Sequence, residues 1–446
     1  MAKSNLKKFS GNKNRYIPVK YKFVITLFFS NIWLIISIYL SKRWLQDLAM
    51  LTNWFLSIFI ISGIAYVPGW INAFLVTSLL LDKQPELKDK DPDDDVTLLI
   101  AAHNEEKGIY NTLKYVAAQD YRGSIRTIII NNNSKDRTKE EVLRAANELN
   151  ISVECIDENN PGKFNALNTG LSKVSTKYTI TLDADTLLHK SAIRYLVARL
   201  KSCPEDVQAI AGTVLVRNSR DNLLTRIQTW DYFLSIASIK RMQGLFQGTL
   251  VAQGAFSIYK TDAIREVGGW SDAIGEDIVL TWDLLARGYR VYFEPLAVSF
   301  TDVPVKFSHF VKQRSRWARG MIEGLRKVRP WQQPSIFTKF LTGIDLLIPY
   351  IDFSYTFFWI PGLVLAFFGR FYIVGPMSIA VLPFTLITFF ILYSYQKKRV
   401  FDVLGLRVRK NILGFIVFIL GYQLIMSPIS LFGYIEELFR FKRIWK

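Results

Sequence analysis

The sequence predicts an α/β domain, a mostly parallel sheet with helices on both faces, set between two groups of membrane-spanning helices. Three observations carry this. Residues of apolar type make up 50 % of the 446 and pile up at both ends, while the middle has the composition of an ordinary soluble domain. That middle alternates apolar runs of strand length with stretches of helical spacing, the mark of βαβ units. Three of its apolar runs end in polar clusters: His103-Asn104-Glu105, Asn131–Thr138 and Asp183–Asp185. Ligands of such sheets bind beyond the carboxyl ends of the strands, so the repetition predicts one shared crevice.

The elements follow in order. Phe23–Leu40 carries no charge and is close to the roughly 20 apolar residues a crossing needs. Its apolar stretch is longer than that of a cleaved signal peptide and no small-residue cleavage site follows, so it is expected to remain as a membrane helix. Trp54–Leu81 is a second uncharged run, broken by Pro68-Gly69. Asp82–Asp95 is a charged linker. "VTLLIAA", "IRTIII", "ISVECID" and "KYTITLDAD" read as four strands, with Lys107–Gln119 and Lys139–Leu149 as helices between them. Beyond Lys190 the pattern is less regular. Arg226–Gln243 is an amphipathic helix candidate, and "GTLVAQGAFSIYKTDAIREVGGW" reads as strand, helix and Gly-Gly turn. Lys306–Val328 is basic with interleaved aromatics, as an interfacial helix would be. Three more apolar runs close the chain: Ile344–Phe368, which contains Asp345 and Asp352, then Phe371–Tyr395 and Ile412–Tyr434. The resulting divisions are a basic N-terminus with two membrane helices (1–81), the α/β domain (82–304), basic interfacial helices (305–343) and a C-terminal membrane region of about three helices (344–446).

The formal charge of +18 does not point to nucleic acid, because the basic residues flank membrane segments. Lys3, Lys7, Lys8, Lys13, Arg15, Lys20 and Lys22 precede the first, and Lys397, Lys398, Arg399, Arg407, Arg409 and Lys410 precede the last. By the positive-inside rule both flanks, and the domain between them, face the cytoplasm of a multi-pass protein of the cell membrane. Three C-terminal crossings would then put Arg440, Lys442, Arg443 and Lys446 outside, against the same rule. Either Ile344–Phe368 does not cross simply or the tail is an exception. Cys155 and Cys203 lie in the cytoplasmic part, where a structural disulfide is not expected, and no zinc-ligand spacing exists.

Four motifs carry chemistry. Asp183 and Asp185 are two apart on an extended chain and share a face, so their carboxylates repel unless a cation lies between them. Oxygen ligands of this kind suit Mg²⁺ or Mn²⁺, although a turn or helix cap would also use aspartates here. Glu276-Asp277 opens a helical stretch. The pair is either a favourable charge at a helix N-terminus or contains a general base. In "HFVKQRSRWARG", Gln313, Arg316 and Trp317 share one helix face: a guanidinium fork suits phosphate and an indole plate suits a sugar ring. A lipid-boundary helix with a Trp anchor is the plainer alternative. Lys163, behind the Pro161-Gly162 turn, either reaches a phosphate or lies exposed.

Taken together, and in this order, the motifs resemble the processive family 2 inverting glycosyltransferases, membrane synthases of cellulose, hyaluronan, chitin-like oligomers and poly-N-acetylglucosamine. The likeness runs from about Val96 to the C-terminus. It is greatest to the bacterial poly-β-1,6-N-acetylglucosamine synthases, on "GGWSDAIGEDIVLTWDLLARGYRVYFEP" and "KQRSRWARG". It implies a GT-A (Rossmann-like) fold and a UDP-sugar donor, UDP-GlcNAc above UDP-glucose or UDP-glucuronate. It further implies a growing polysaccharide as acceptor, a lipid bilayer, and synthesis coupled to export. A small membrane accessory subunit is a further partner it allows. By the same resemblance His103, Glu105, Asn132, Asp136 and Lys163 would form the nucleotide pocket. Asp183 would contact the nucleotide and, with Asp185, the metal. Gln253 and Gly254 would lie near the acceptor end. Asp277, beside Glu276, would be the base, and Gln313, Arg316 and Trp317 would clamp diphosphate and acceptor sugar. Two departures stand out. Ala101 replaces a usual proline, and Asn131 and Asn132 stand where at least one aspartate is usual. A membrane transferase that adds one sugar to a lipid carrier, and an inactive polysaccharide-binding subunit, are the competing readings. Product length separates the first, and the intact Asp183, Asp185 and Asp277 set argues against the second.

Overall fold

The computed structural model describes residues 17–441. Lys3, Lys7, Lys8, Lys13 and Arg15 of the first basic cluster, and Lys442, Arg443 and Lys446 of the tail, lie outside the described residues. Eight strands form one sheet: β1 Val96–Ala102, β2 Ile125–Asn132, β3 Val153–Glu158, β4 Tyr178–Leu182, β5 Leu187–Leu188, β6 Val207–Val216, β7 Phe256–Lys260 and β8 Arg290–Thr301. Their spatial order is β3-β2-β1-β4-β7-β6-β8-β5. The first four are parallel, as their apolar runs predict for strands covered on both faces. Leu98 and Ile100 point into one core and Leu99 into the other, and all three are buried.

The second half of the sheet departs from the expected parallel pattern. β7 is antiparallel to both β4 and β6, and β5 is antiparallel to β8. The expected strand at "GTLVAQGAF" is only partly formed. Residues 250–255 are a loop, and pairing starts at Phe256. β6 and β8, ten and twelve residues long, were not evident in the sequence. Gly212 and Pro295 interrupt them, and both are used at one irregularity. The β6–β8 register jumps between Ala211 and Thr213, Pro295 sits in the looped-out segment, and Thr213 donates to its carbonyl at 3.1 Å. A proline is tolerated there because no ladder bond is asked of it.

The helix expected over Arg226–Gln243 runs from Leu223 to Leu245, with a π-helical stretch at Phe233–Ile239. Among the described residues four helices are long and apolar enough to cross a membrane: Val19–Leu40, Trp54–Leu80, Ile336–Phe367 and Ile412–Leu438. Pro376–Gln396 is a further apolar helix of 21 residues. Pro68-Gly69 does not break the second. A π turn at Ser62–Tyr66 absorbs the proline, and the Tyr355 hydroxyl donates at 3.3 Å to the Ile64 carbonyl that Pro68 leaves without its helical donor. A short helix the sequence did not announce, Lys42–Leu51, joins the first two, and its Trp44 Nε1 donates to Tyr372 O at 3.1 Å. Domain and membrane helices share one core. Phe23 meets Phe246 at 5.4 Å and Phe340 at 4.9 Å between ring centroids, and Phe74 meets Phe246 at 5.4 Å.

Candidate active site

The crevice at the carboxyl ends of β1, β2 and β4 has two parts. At the first, the backbone after β1 turns left-handed at Asn104 (φ 56°), a conformation asparagine tolerates. This carries the three residues after β1 against the loop after β2. His103 Nδ1 lies 2.6 Å from Asn132 O. A carbonyl only accepts, so Nδ1 carries the proton and Nε2 is left to accept from Asn104 Nδ2 at 3.1 Å. Asp136 ties the two loops together, accepting from Glu106 N at 3.1 Å and from Thr138 N and Oγ1 at 3.1 and 2.5 Å. Burial pushes its pKa up, but these bonds outweigh that and hold it below the usual carboxylate value.

Asn132 has a structural use. It is 1 % exposed. Its Nδ2 donates to Glu158 O and Asn160 O at 3.2 and 2.7 Å, and its Oδ1 accepts from Gly162 N at 2.8 Å. This clasp fixes the turn that delivers Lys163. An aspartate could not make it, having no N–H for the two carbonyls, which gives a local reason for the asparagine. Asn131 donates to Asp157 Oδ1 at 2.9 Å.

The second part is acidic. Lys163 Nζ lies 2.6 Å from Asp183 Oδ1 and 3.4 Å from Glu276 Oε1. Burial alone would lower the ammonium's pKa, but Asp183 and Glu276 raise it well above its ordinary value. Glu276 is pushed up to about 7 by burial, with Asp277 adding and Lys163 opposing. The Asp185 carboxylate is open to solvent at the crevice mouth yet ringed by protein. Desolvation and then Asp183 push it to about 6. Asp277, in the first turn of its helix, accepts from Ile278 N at 2.8 Å, and its Oδ2 accepts from Gly254 N at 3.1 Å. A Cβ on Gly254 would sit 2.7 Å from Lys163 Nζ, so a larger residue there would push the ammonium aside. Glu105 and Asp185 both border Gly108, where a Cβ would lie 3.3 Å from Glu105 Oε2 and 3.8 Å from Asp185 Cα.

The third wall is the helix Phe307–Lys327. Arg316 and Trp317 lie on its outward face, with Trp317 42 % exposed, whereas Gln313 is only partly exposed and its Oε1 is buried without a hydrogen-bond partner. The opposite face is less basic-interfacial than expected. Arg314 is buried, pairs with Asp231 at 2.7 Å, and stacks 3.9 Å beneath the Trp317 ring. Arg319 and Arg326 each pair with Glu437 at 3.3 Å. The helix is locked to that of Asp277 by a glycine crossing, where a Cβ on Gly275 would come within 2.7 Å of Gly320 Cα, and by Gly275 N donating to Glu323 Oε2 at 3.0 Å.

The structure therefore brings Lys163, Asp183, Gly254, Glu276 and Asp277 together, with Asp185 at the mouth. Tyr232 connects them to Trp317, 6.0 Å away between ring centroids, and feels the charge of Asp185 and Asp183. Gln253 is turned inward. It is 7 % exposed, donating to Gly212 O and accepting from Lys240 Nζ. Lys240, Arg314 and Asp231 had no signal in the sequence, because a cation or acid on a helix is ordinarily solvated. Burial lowers Lys240 to about 7, against Asp277. Among the described residues no three His, Cys, Asp or Glu side chains cluster closely enough to hold a metal by themselves. An all-oxygen pair with an acid raised by desolvation and then by its neighbour's charge fits a divalent cation that takes its other ligands from phosphate and water. Cys155 and Cys203 are free thiols.

Comparison with known proteins bears on this geometry. The family model described as glycosyltransferase-like family 2 matches residues 92–320. The poly-β-1,6-N-acetyl-D-glucosamine synthase of Staphylococcus aureus is 37 % identical over 241 residues, 54 % of this chain and 57 % of that protein. That of Staphylococcus epidermidis is 35 % identical over 227 residues, 50 % and 54 % of the two chains. The chain thus spans just over half the length of these relatives. A mannosyltransferase of Pyrobaculum calidifontis, solved with GDP-Man and Mn²⁺, shares the fold: TM-score 0.60, 18 % identity, 86 % of this chain and 98 % of that one.

Proposed function

The chain belongs to the glycosyltransferase-like family 2, and from that premise we propose that it polymerises UDP-N-acetylglucosamine processively by single-displacement, inverting transfer. The observation that carries this is the joining of the acidic cluster to the Trp317 helix by the Gly275–Gly320 crossing. A base and an aromatic plate held at fixed distance suit an acceptor sugar lying on the plate with its hydroxyl at the base. Asp277 takes the proton of the acceptor hydroxyl, whose oxygen attacks the anomeric carbon. The bond from that carbon to the diphosphate breaks, and UDP leaves with the electron pair. No second carboxylate is needed as nucleophile, because one displacement inverts. Lys163 and Arg316 bind the diphosphate. Asp185 and Asp183 would hold Mg²⁺ or Mn²⁺, which when bound offsets the charge of the leaving diphosphate. His103, Glu105 and Asp136 shape the nucleobase end, with Asn132 as its clasp.

The apolar helices make this a membrane protein. The domain lies on the cytoplasmic side of the cell membrane, and synthesis is coupled to export. The test is to incubate detergent-purified protein with Mg²⁺ or Mn²⁺ and each of UDP-GlcNAc, UDP-glucose and UDP-glucuronate, following UDP release and product size. Long polymer from UDP-GlcNAc alone, abolished by Asp277→Asn, is the expected outcome. Products one sugar long would replace this reading by transfer to a lipid carrier. Polymer made in liposomes that stays on the donor side would remove the export step.

A further inference from the structure

Ile412–Leu438 is apolar and 27 residues long, about 40 Å at 1.5 Å per residue, so its composition alone marks it as a span. Its contacts point elsewhere. At its start, Asn411 Nδ2 donates to Arg226 O at 2.8 Å, and Trp230 Nε1 donates to Asn411 O at 3.0 Å. At its end, Ser315 Oγ donates to Glu436 Oε2 at 2.6 Å and Arg326 Nη1 donates to Glu437 O at 3.0 Å. Near that end a Cβ on Gly433 would come within 2.6 Å of Ser315 O. Both sets of partners belong to helices of the catalytic domain, Leu223–Tyr232 and Phe307–Lys327. A helix crossing the hydrocarbon core would carry its far end roughly 30 Å from the domain.

The middle agrees with the ends. Phe415 and Phe418 meet Phe389 at 5.4 and 5.7 Å between centroids. Phe389 lies about 10 Å, at helical rise, from Gln396, the end of its helix beside the domain. Ser427 and Tyr434 donate to the Asp352 carboxylate at 2.8 Å each, and Asp352 stands about 6 Å beyond Ile348, where the helix resumes after the turn at Leu346-Leu347. Both ends of Ile412–Leu438 thus rest on Leu223–Tyr232 and Phe307–Lys327, and its middle packs on Phe389 and Asp352.

We infer that Ile412–Leu438 does not cross the membrane but lies in the plane of the leaflet facing the catalytic domain, between that domain and the membrane helices. Leu413, Ile416, Leu420, Phe432, Ile435 and Leu438 are exposed and face lipid, and the domain takes the place of water on the other side. Four helices then cross, as two hairpins: Val19–Leu40 with Trp54–Leu80, and Ile348–Phe367 with Pro376–Gln396. Their turns meet away from the domain through Trp44 and Tyr372. Phe439–Phe441 then lie on the domain side, and Arg440 obeys the positive-inside rule.

The test is sidedness of single cysteines. Cys155 and Cys203 are replaced by serine, and Arg440→Cys, Asp262→Cys in the domain and Phe371→Cys in a hairpin turn are introduced one at a time. Membrane-impermeant maleimide is applied to intact cells and to inside-out vesicles. Arg440→Cys is expected to label only from the side that labels Asp262→Cys, with Phe371→Cys labelled from the other. Labelling of Arg440→Cys from the Phe371→Cys side would overturn the inference. Should a variant not accumulate, protease access to an epitope fused after Lys446 of the unaltered chain gives the same reading. Neither outcome depends on the sugar transferred.

Discussion

Lys163 shows how one side chain is fitted to two tasks. With its ammonium between Asp183 and Glu276, it offsets charge in a crevice that gathers Asp183, Asp185, Glu276 and Asp277. In the function proposed above it also meets the donor diphosphate. Glu276 bears the cost of the arrangement, since its pKa is raised from the ordinary 4.5 to about 7. A carboxyl raised in the folded state binds more protons there than when unfolded. Its stabilising effect is complete below the unfolded value and is lost as pH rises through the folded one. Glu276→Gln has no such charge to carry. Its stability relative to the parent should therefore increase between pH 5.5 and 8.5, by on the order of 2 kcal/mol for a shift of this kind. Thermal unfolding in detergent at the two pH values measures this. A difference independent of pH would mean that Lys163 fully compensates the carboxylate.

Elements hold these residues in register, and the site depends on two helices that cross without side chains between them. The Gly275–Gly320 contact brings the N-terminus of Glu276–Ala286 onto Phe307–Lys327, so that Asp277 and Trp317 move as one unit. A methyl at 320 would sit 2.9 Å from Gly275 Cα, against backbone that cannot swing aside. Gly320→Ala is therefore expected to lower turnover by about tenfold or more, as sub-ångström misplacements do, while UDP binding, measured by calorimetry, changes far less. Equal losses in both would mean general unfolding. Much at this scale was legible in advance. The four parallel strands announced themselves by apolar runs with polar ends, and the helix that carries Gln313, Arg316 and Trp317 forms where its spacing predicts. The extended-chain alternation expected for Asp183 and Asp185 does not hold, because the strand ends at Leu182 and residues 183–186 turn, with Thr186 N donating to Asp183 O at 3.1 Å. Spacing reports neighbours inside an element only. Arg314 finds Asp231 eighty-three positions away (314 − 231), and the inward turn of Gln253 onto Lys240 and Gly212 needs three elements. β6 and β8 escaped notice because Gly212 and Pro295 read as strand breakers until the irregular pairing between them is known.

At the scale of the whole molecule, catalytic domain and membrane helices are one packed body rather than a domain on a tether. Besides the shared aromatic core, a buried ion pair joins them. Asp82, just beyond the helix Trp54–Leu80, accepts from Arg241 Nε at 2.7 Å and from the Tyr395 hydroxyl at 2.8 Å, with the Arg241 guanidinium 4.5 Å over the Tyr395 ring. The Asp82 side chain is 1 % exposed and that of Arg241 5 %. The next residue back, Lys240, reaches the other way, to Gln253 in the loop that presents Gly254 to Asp277. A short helix end thus has one basic residue in the membrane junction and one behind the active site. Removing one partner of a buried pair leaves the other uncompensated, at a cost of about 3–5 kcal/mol, whereas apolar replacement of both is often close to neutral. Asp82→Leu and Arg241→Met should each lower thermal stability sharply, and the double variant should recover most of the loss. Because Lys240 adjoins Arg241 on the same helix end, Asp82→Leu should also reduce turnover, and the double variant should restore stability more fully than activity. Single variants as stable as the parent would mean that water already satisfies both charges; full recovery of turnover in the double variant would mean that the junction and the site are not coupled through this helix end.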